Sequence, residues 1–188
     1  VTKPELRRVM RARLREVGPA QAAEWSRRAC ERVAELPEFA AAGHVMAYVS
    51  FATELQTAHL CETIVRLGKR LYVPRVRDAM TMEACPWDGD PATLIAGFQT
   101  VPEPRPEALA VDPARVDLII VPGLAFDESC MRLGRGRGYY DRFLSDPRVR
   151  AKTCGLAYEC QVADALPADP HDKPVDLLVT EARVRVRR

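Results

Sequence analysis

The 188-residue chain is 47% hydrophobic and 29% charged, with 28 basic residues against 26 acidic ones and a formal net charge of +2. That length can carry a sizeable core, and the near-neutral balance argues against a general nucleic-acid binder, so any basic site must be local. No apolar run reaches the length of a bilayer span and the first residues are charged rather than signal-like, so no membrane partner is expected and the cytoplasm is the expected location. Cys30, Cys61, Cys85, Cys130, Cys154 and Cys160 include no Cys-x-x-Cys pair, which speaks for free thiols rather than zinc or a redox dithiol.

Thr2, Pro4 and Glu5 read as a helix start: Thr2 caps, Pro4 suits an early position, and Glu5 returns a capping-box bond. Leu6, Val9, Met10, Leu14 and Val17 follow at helical spacing, and Gly18 with Pro19 stops the helix. The other face carries Arg7, Arg8, Arg11, Arg13 and Arg15, most of it a solvated basic face. Lys3 and Arg7 lie one turn apart and could together face an anion. A second helix is expected over 20–36, with Trp25, Ala29, Val33 and Leu36 inward and Pro37 ending it; a short helical turn precedes Gly43. The apolar run 44–49 reads as a buried strand.

Glu54 stands at the outer end of that strand, just before a helix over 57–67 closed by Gly68. It is either a helix-start carboxylate or a ligand group, because ligands gather at the carboxyl ends of strands in open α/β sheets. Residues 69–74 form the next strand, ended by their own proline, and 80–87 an antiparallel one, with Asp88 and Gly89 as a turn. The proline-rich stretch to Val116 reads as extended chain with a short helix near 106–110; Glu103 and Pro104 within it either line a site or make a plain turn.

Leu118 to Val121 is a short apolar, β-branched run ended by Pro122 and Gly123. Beyond it Gly134, Gly136 and Gly138 alternate with Arg135 and Arg137, Arg132 stands just before, and Tyr139, Tyr140 and Asp141 open a helix that lasts to Asp146 and Pro147. Glycines without Cβ let backbone N–H groups curl round an anion, and arginine forks match phosphate oxygens. The tyrosines offer flat faces for a base or a ring, and Asp141 could hold Mg²⁺ or cap the helix. Neither a Walker ending nor Rossmann glycine spacing is present. Strands are expected over 152–157 and 175–180, with His171 and Asp172 in the loop before the second and a frayed basic tail from Ala182. Apolar strands alternating with helices indicate a mostly parallel sheet covered on both faces.

The segment Pro122 to Asp127, followed by Arg132, Leu133 and the Gly-x-Gly-x-Gly-Tyr-Tyr-Asp run, resembles the signature of the 5-formyltetrahydrofolate cyclo-ligases, also called methenyltetrahydrofolate synthetases. Their other motifs occur here in order: a Lys-x-x-x-Arg pair (Lys3, Arg7), a glutamate between a serine and a threonine (Glu54), Gly-Lys-x-x-x-x-Pro-Arg from Gly68, Glu-Pro at Glu103, and His-Asp-x-Pro-Val-Asp from His171. Cys130 departs from the glycine usual at that position, so the turn there is expected to adjust if it needs positive φ. Arg137 replaces a common glycine or lysine and keeps the loop basic.

The resemblance implies a single domain over 1–188 with a three-layer α/β/α, Rossmann-like fold. It implies ATP-dependent cyclisation of 5-formyltetrahydrofolate to 5,10-methenyltetrahydrofolate with release of ADP and phosphate. ATP would be held by Lys3, Arg7, Arg132, Leu133, Gly134, Arg135, Gly136, Arg137, Gly138, Tyr139 and Tyr140. The folate would meet Val49, Glu54, Arg135, Gly136, Arg137, Gly138 and Tyr139. Asp141 and Asp172 would associate with Mg²⁺, and Arg132, Arg135 and Tyr139 would act in catalysis. The implied partners are those two small molecules, with no nucleic acid, and the expected state is a monomer. A non-catalytic nucleotide or RNA sensor and a ligase for another formylated amine are the competing readings; the near-neutral charge and the retained Glu54, Asp141 and Asp172 weigh against the sensor.

Overall fold

The computed structural model describes residues 1–187, Gln99 through its backbone only; Arg188, the last residue of the expected domain, lies outside them. Among the described residues there are five α-helices, α1 (Lys3–Glu16), α2 (Pro19–Ala34), α3 (Pro37–Ala41), α4 (Ala58–Arg66) and α5 (Tyr139–Leu144). The strands are β1 (His44–Met46), β2 (Arg70–Val76), β3 (Met82–Pro86), β4 (Ile95–Ala96), β5 (Pro102–Glu103), β6 (Leu118–Val121), β7 (Ala125–Asp127), β8 (Arg132–Leu133), β9 (Lys152–Leu156), β10 (Val162–Ala163), β11 (Leu177–Val179) and β12 (Val184–Val186). The first helix opens as expected. Thr2 accepts from the Glu5 N–H, and the Glu5 carboxylate accepts from the Thr2 N–H at 2.8 Å.

Seven strands form the main sheet in the order β12-β11-β9-β6-β1-β2-β3. The inner strands run parallel; β12 and β3 run antiparallel to their neighbours at the two edges. Every residue of β6 is buried, so its side chains feed both faces alternately. On one face Val45, Leu71, Ile120 and Leu156 pack against Ala29, Val33, Phe39, Leu60 and Ile64 of α2, α3 and α4. On the other, Met46, Tyr72, Ile119, Val121 and Leu178 pack with Phe143 of α5. A smaller sheet, β10-β7-β8, seats Ala125 and Leu133 under Met10 of α1. The remaining pair, β4 and β5, is an isolated antiparallel ribbon.

From β1 the chain passes through α4 to β2 on one side; from β6 it passes through α5 to β9 and β11 on the other. The winding therefore reverses between β1 and β6, and a crevice opens beyond their C-terminal ends. The segments that follow these two strands carry Glu54 and the glycine–arginine loop. The fold thus brings together groups some 80 positions apart, as the Arg135–Glu54 pair at |i−j| = 81 shows.

Several expected boundaries shift for local reasons. β1 stops at Met46 rather than running to residue 49, because the Thr57 hydroxyl takes the Tyr48 carbonyl at 2.6 Å and draws the chain away from the ladder. β2 does not end at Pro74 but continues to Val76. The Ala47 N–H bonds to the Tyr72 carbonyl, so even-numbered residues of β2 face β1; that strand has ended by position 74, where a missing N–H removes no ladder bond. No helix forms near 106–110: the Ala108 N–H closes a single turn onto the Arg105 carbonyl, with Pro104 and Pro106 flanking it. The tail is not frayed either. Residues Val184–Val186 pair with β11, and Arg185, with its side chain 7% exposed, bonds Glu128 and Glu159. All six cysteines are free thiols, as expected.

Candidate active site

The loop is set by the hairpin that precedes it. Asp127 Oδ1 accepts from the N–H and hydroxyl of Ser129 (2.9 and 2.7 Å) and from the Met131 N–H (3.0 Å). Its Oδ2 accepts from the Leu166 N–H at 3.0 Å. This web holds Cys130, fully buried, at φ +63°. The glycine-type position thus does need the left-handed region, and cysteine occupies it under strain. Two residues later Arg132 points inward, its side chain 4% exposed. Its Nη2 donates to Asp141 Oδ1 at 2.7 Å and its Nη1 to the Pro122 carbonyl at 3.3 Å, while its Nε is buried without an acceptor among the described residues.

Gly136 (φ +107°) and Gly138 (φ +68°) then turn the backbone as only glycine does cheaply. The helix that follows, α5, has only six residues, so the arginines and loop amides, not a helix dipole, dominate the field here. Arg135 Nε donates to Glu54 at 2.9 Å, and the Arg137 guanidinium lies 5.8 Å from the Phe98 ring centroid. From α1, Arg7 Nε donates to the Gly134 carbonyl at 2.9 Å. Lys3 bonds Asp169 at 2.6 Å and also Asp172.

Two cavities meet at this loop. The first, about 180 Å³, is lined on its own account by Val49, Glu54, Arg135, Tyr139 and Tyr140. The second, about 930 Å³, has Lys3, Arg7, Leu133, Gly136 and Asp172. Arg132, Gly134, Arg137, Gly138 and Asp141 line both and form the shared wall. Tyr140, expected at the nucleotide, lines the first cavity, where its hydroxyl is buried without a partner among the described residues. Tyr139 donates to the Asp78 carbonyl at 3.3 Å and meets the Phe98 ring edge-on.

Electrostatics differ between the cavities. Burial raises the Glu54 carboxyl above its ordinary value, outweighing the Arg135 guanidinium that opposes it. The same burial raises Glu103, on the far wall of the first cavity, against bonds from the Val76 and Phe98 N–H groups. In the second cavity burial acts to lower Lys3, but its bonds to Asp169 and Asp172 leave it raised. Burial likewise acts to raise Asp172, and the Asp169 N–H with Lys3 leaves it lowered.

From the sequence alone Glu103 is either a turn residue or a site residue, and Phe98, Asp169 and Arg142 have no assigned role. Phe98 and Glu103 line the first cavity; Asp169 and Arg142 line the second. Asp169 carries a readable signal, since it stands two residues before the His171–Asp172 pair. Phe98 carries none: it arrives through a proline-rich stretch without periodicity. The donor atoms of Asp169, His171 and Asp172 lie within 4.8 Å of one another.

A model of the 5-formyltetrahydrofolate cyclo-ligase family matches residues 1–181. The chain is 32% identical over 179 residues to the 5-formyltetrahydrofolate cyclo-ligase of Escherichia coli strain K12, covering 94% of this chain and 98% of that one. It is 34% identical over 143 residues to the protein of that name from Mycolicibacterium smegmatis, covering 74% of each. The solved structure of 5,10-methenyltetrahydrofolate synthetase from Aquifex aeolicus matches with a TM-score of 0.87 at 35% identity, over 100% of this chain and 94% of that one. On these matches and the motifs in order, the chain belongs to the 5-formyltetrahydrofolate cyclo-ligase family.

Proposed function

We propose that the chain catalyses the ATP-dependent cyclisation of 5-formyltetrahydrofolate to 5,10-methenyltetrahydrofolate, ADP and phosphate. One observation carries the reading: a small, largely apolar cavity and a wide, charged one share the Arg132–Asp141 wall. Direct phosphoryl transfer between two bound molecules needs that arrangement, with one molecule on each side of a basic wall. The folate ring would occupy the first cavity, against Val49, Tyr139 and Glu54. The nucleotide phosphates would lie in the second, facing Lys3, Arg7, Arg137 and the loop amides.

The chemistry asks mainly for positioning and charge stabilisation. A formyl oxygen on nitrogen is a poor leaving group. Transfer of the γ-phosphoryl group to it gives an electrophilic iminium phosphate. N10 then attacks the same carbon, sheds its proton, and the oxygen departs with phosphate. Arg132 and Arg135, in or beside the shared wall, are placed to stabilise the charge passing between the cavities. Tyr139 would hold the folate against that wall. No nucleophilic side chain is required.

Asp141 and Asp172 line the second cavity and would hold a Mg²⁺ ion through hard carboxylate oxygens. When bound, such an ion neutralises phosphate charge. We further propose a cytoplasmic monomer built as one domain. Among the described residues no helix is long and apolar enough to cross a membrane, and sedimentation at working concentration tests the monomer.

The deciding experiment follows the near-ultraviolet band of the methenyl product in purified protein with 5-formyltetrahydrofolate and Mg²⁺. The band is expected to grow only when ATP is added. No growth in folded, nucleotide-binding protein would sink the reading.

A further inference from the structure

We propose that Arg142 is an additional ligand for nucleotide phosphate in the second cavity. The inference rests on the nucleotide reading of that cavity and adds a residue to it. Arg142 lies on α5, one residue after Asp141, and lines the same cavity as Lys3 and Arg7.

Asp141, Asp146, Asp169 and Asp172 all line this cavity, so a polyanion entering it needs positive charge that these carboxylates have not already neutralised. Lys3 is paired with Asp169 and Asp172, and Arg132 with Asp141. Among the described residues Arg7, Arg137 and Arg142 of this cavity have no carboxylate partner, and of these three it is Arg142 that carries an unsatisfied guanidinium nitrogen. Its Nη2 is buried without an acceptor. A guanidinium in that state is a costly arrangement in a ligand-free site and a favourable one once an anion arrives.

Arg142 is also held in place. Its Nε donates to the Met80 carbonyl at 2.6 Å, and its guanidinium carbon lies 5.2 Å from the Tyr139 ring centroid. A Cβ at Gly138 would lie 2.9 Å from Nη1, so the glycine there serves the guanidinium as well as the positive φ. The planar fork therefore sits against the loop that forms the cavity wall, with little side-chain freedom left to lose on binding. Lysine could supply the charge but not the fork.

The alternative is that Arg142 merely props the 77–81 hairpin tip through Met80 and the Tyr139 ring. Because Tyr139 lines the first cavity, that role would disturb folate binding at least as much as nucleotide binding. The test is calorimetric titration of ADP with Mg²⁺, and separately of 5-formyltetrahydrofolate, into the unmodified protein, Arg142→Met and Arg142→Lys. Loss of one charge-assisted hydrogen bond is expected to weaken ADP about ten- to a hundredfold in Arg142→Met, with the folate within about threefold and an intermediate ADP loss in Arg142→Lys. Unchanged ADP affinity, or a folate loss as large as the ADP loss, overturns the proposal. Should Arg142→Met fail to fold, the same ratio read in Arg142→Lys decides. If the unmodified protein binds no ADP, the nucleotide reading itself falls, an outcome distinct from a selective failure of Arg142.

Discussion

The two cavities share a wall and follow opposite electrostatic rules. In the first, about 180 Å³ and largely apolar, burial pushes the Glu54 carboxyl toward neutrality although Arg135 lies 2.9 Å away. In the second, about 930 Å³, Lys3 and Asp172 hold each other charged, one raised and the other lowered. On the proposed reading the first site would select by shape and a few hydrogen bonds. The second would select by charge, and an incoming polyanion would have to displace pairs already formed. The difference teaches that a cation's exposure says less about its readiness to bind than whether a carboxylate has claimed it.

The hardest test of this contrast is at the shared wall. Asp141→Asn keeps an acceptor for Arg132 but removes a charge from both cavities. We expect turnover to fall about a hundredfold or more, the scale of losing one electrostatic element in phosphoryl or acyl transfer. Thermal stability should drop by only about 1 kcal/mol, because the 2.7 Å bond survives in neutral form. Equal losses in both would make Asp141 a structural partner of Arg132 and nothing more.

Glu54→Gln should act on one cavity only. Raising the KM for 5-formyltetrahydrofolate about tenfold while leaving that for ATP nearly unchanged is the expected outcome for a lost charge-assisted bond. The pH dependence follows in sign. The folded carboxyl lies above its ordinary 4.5, and the ionised form is the acceptor, so folate affinity should begin to fall while the pH is still above 4.5. Linkage runs the other way for stability: a raised folded value favours the protonated native state, so Glu54's contribution is largest at low pH and declines as pH rises from 4.5 through the folded value. Both dependences should flatten in Glu54→Gln.

Much of this contrast could be read from the chain and some could not. The loop, β6 and the capped first helix were legible because glycine spacing, a four-residue apolar run and a capping box are local signals. Glu54 was legible as a position but not as a partner of Arg135, 81 residues away. The tail misled because Val184, Arg185 and Val186 carry too short an alternation to declare a strand, and what anchors them is the carboxylates of Glu128 and Glu159, 57 and 26 residues distant. The Arg142 contact with Met80 is equally non-local, at 62 residues. Local pattern reveals where backbone is special; it does not reveal which charges neutralise each other.

Lys3→Met examines the charged cavity by itself. Nucleotide affinity should weaken about tenfold or less, since a lysine acts as a point charge without a fork, and folate affinity should not change. Asp172 should return toward its ordinary 3.8. In the native protein its lowered value adds stability above 3.8 that is lost as pH falls through the folded value, and the variant should lack that acid-sensitive component. A variant whose folate affinity falls in step with its nucleotide affinity would show that the cavities are not electrostatically separate.

The smallest expected effect lies beneath both cavities, at Cys130. Its φ of +63° is strained for any residue with a Cβ, at roughly 1–2 kcal/mol. Its side chain is also fully buried in the cluster that includes Phe126 and Val175, and removing it forfeits a similar amount. Cys130→Gly should therefore shift stability by no more than about 1 kcal/mol in either direction, or about 2–4 °C for a chain of this size. Both ligand affinities should stay within about twofold, because the Asp127 web, not residue 130 itself, aims Arg132. Cys130→Ala retains the Cβ and the strain while losing the sulfur's packing, so it should be no more stable than the glycine variant. If alanine proves clearly better, packing outweighs strain here. The shared wall then rests on the core beneath the turn more than on the turn's own geometry.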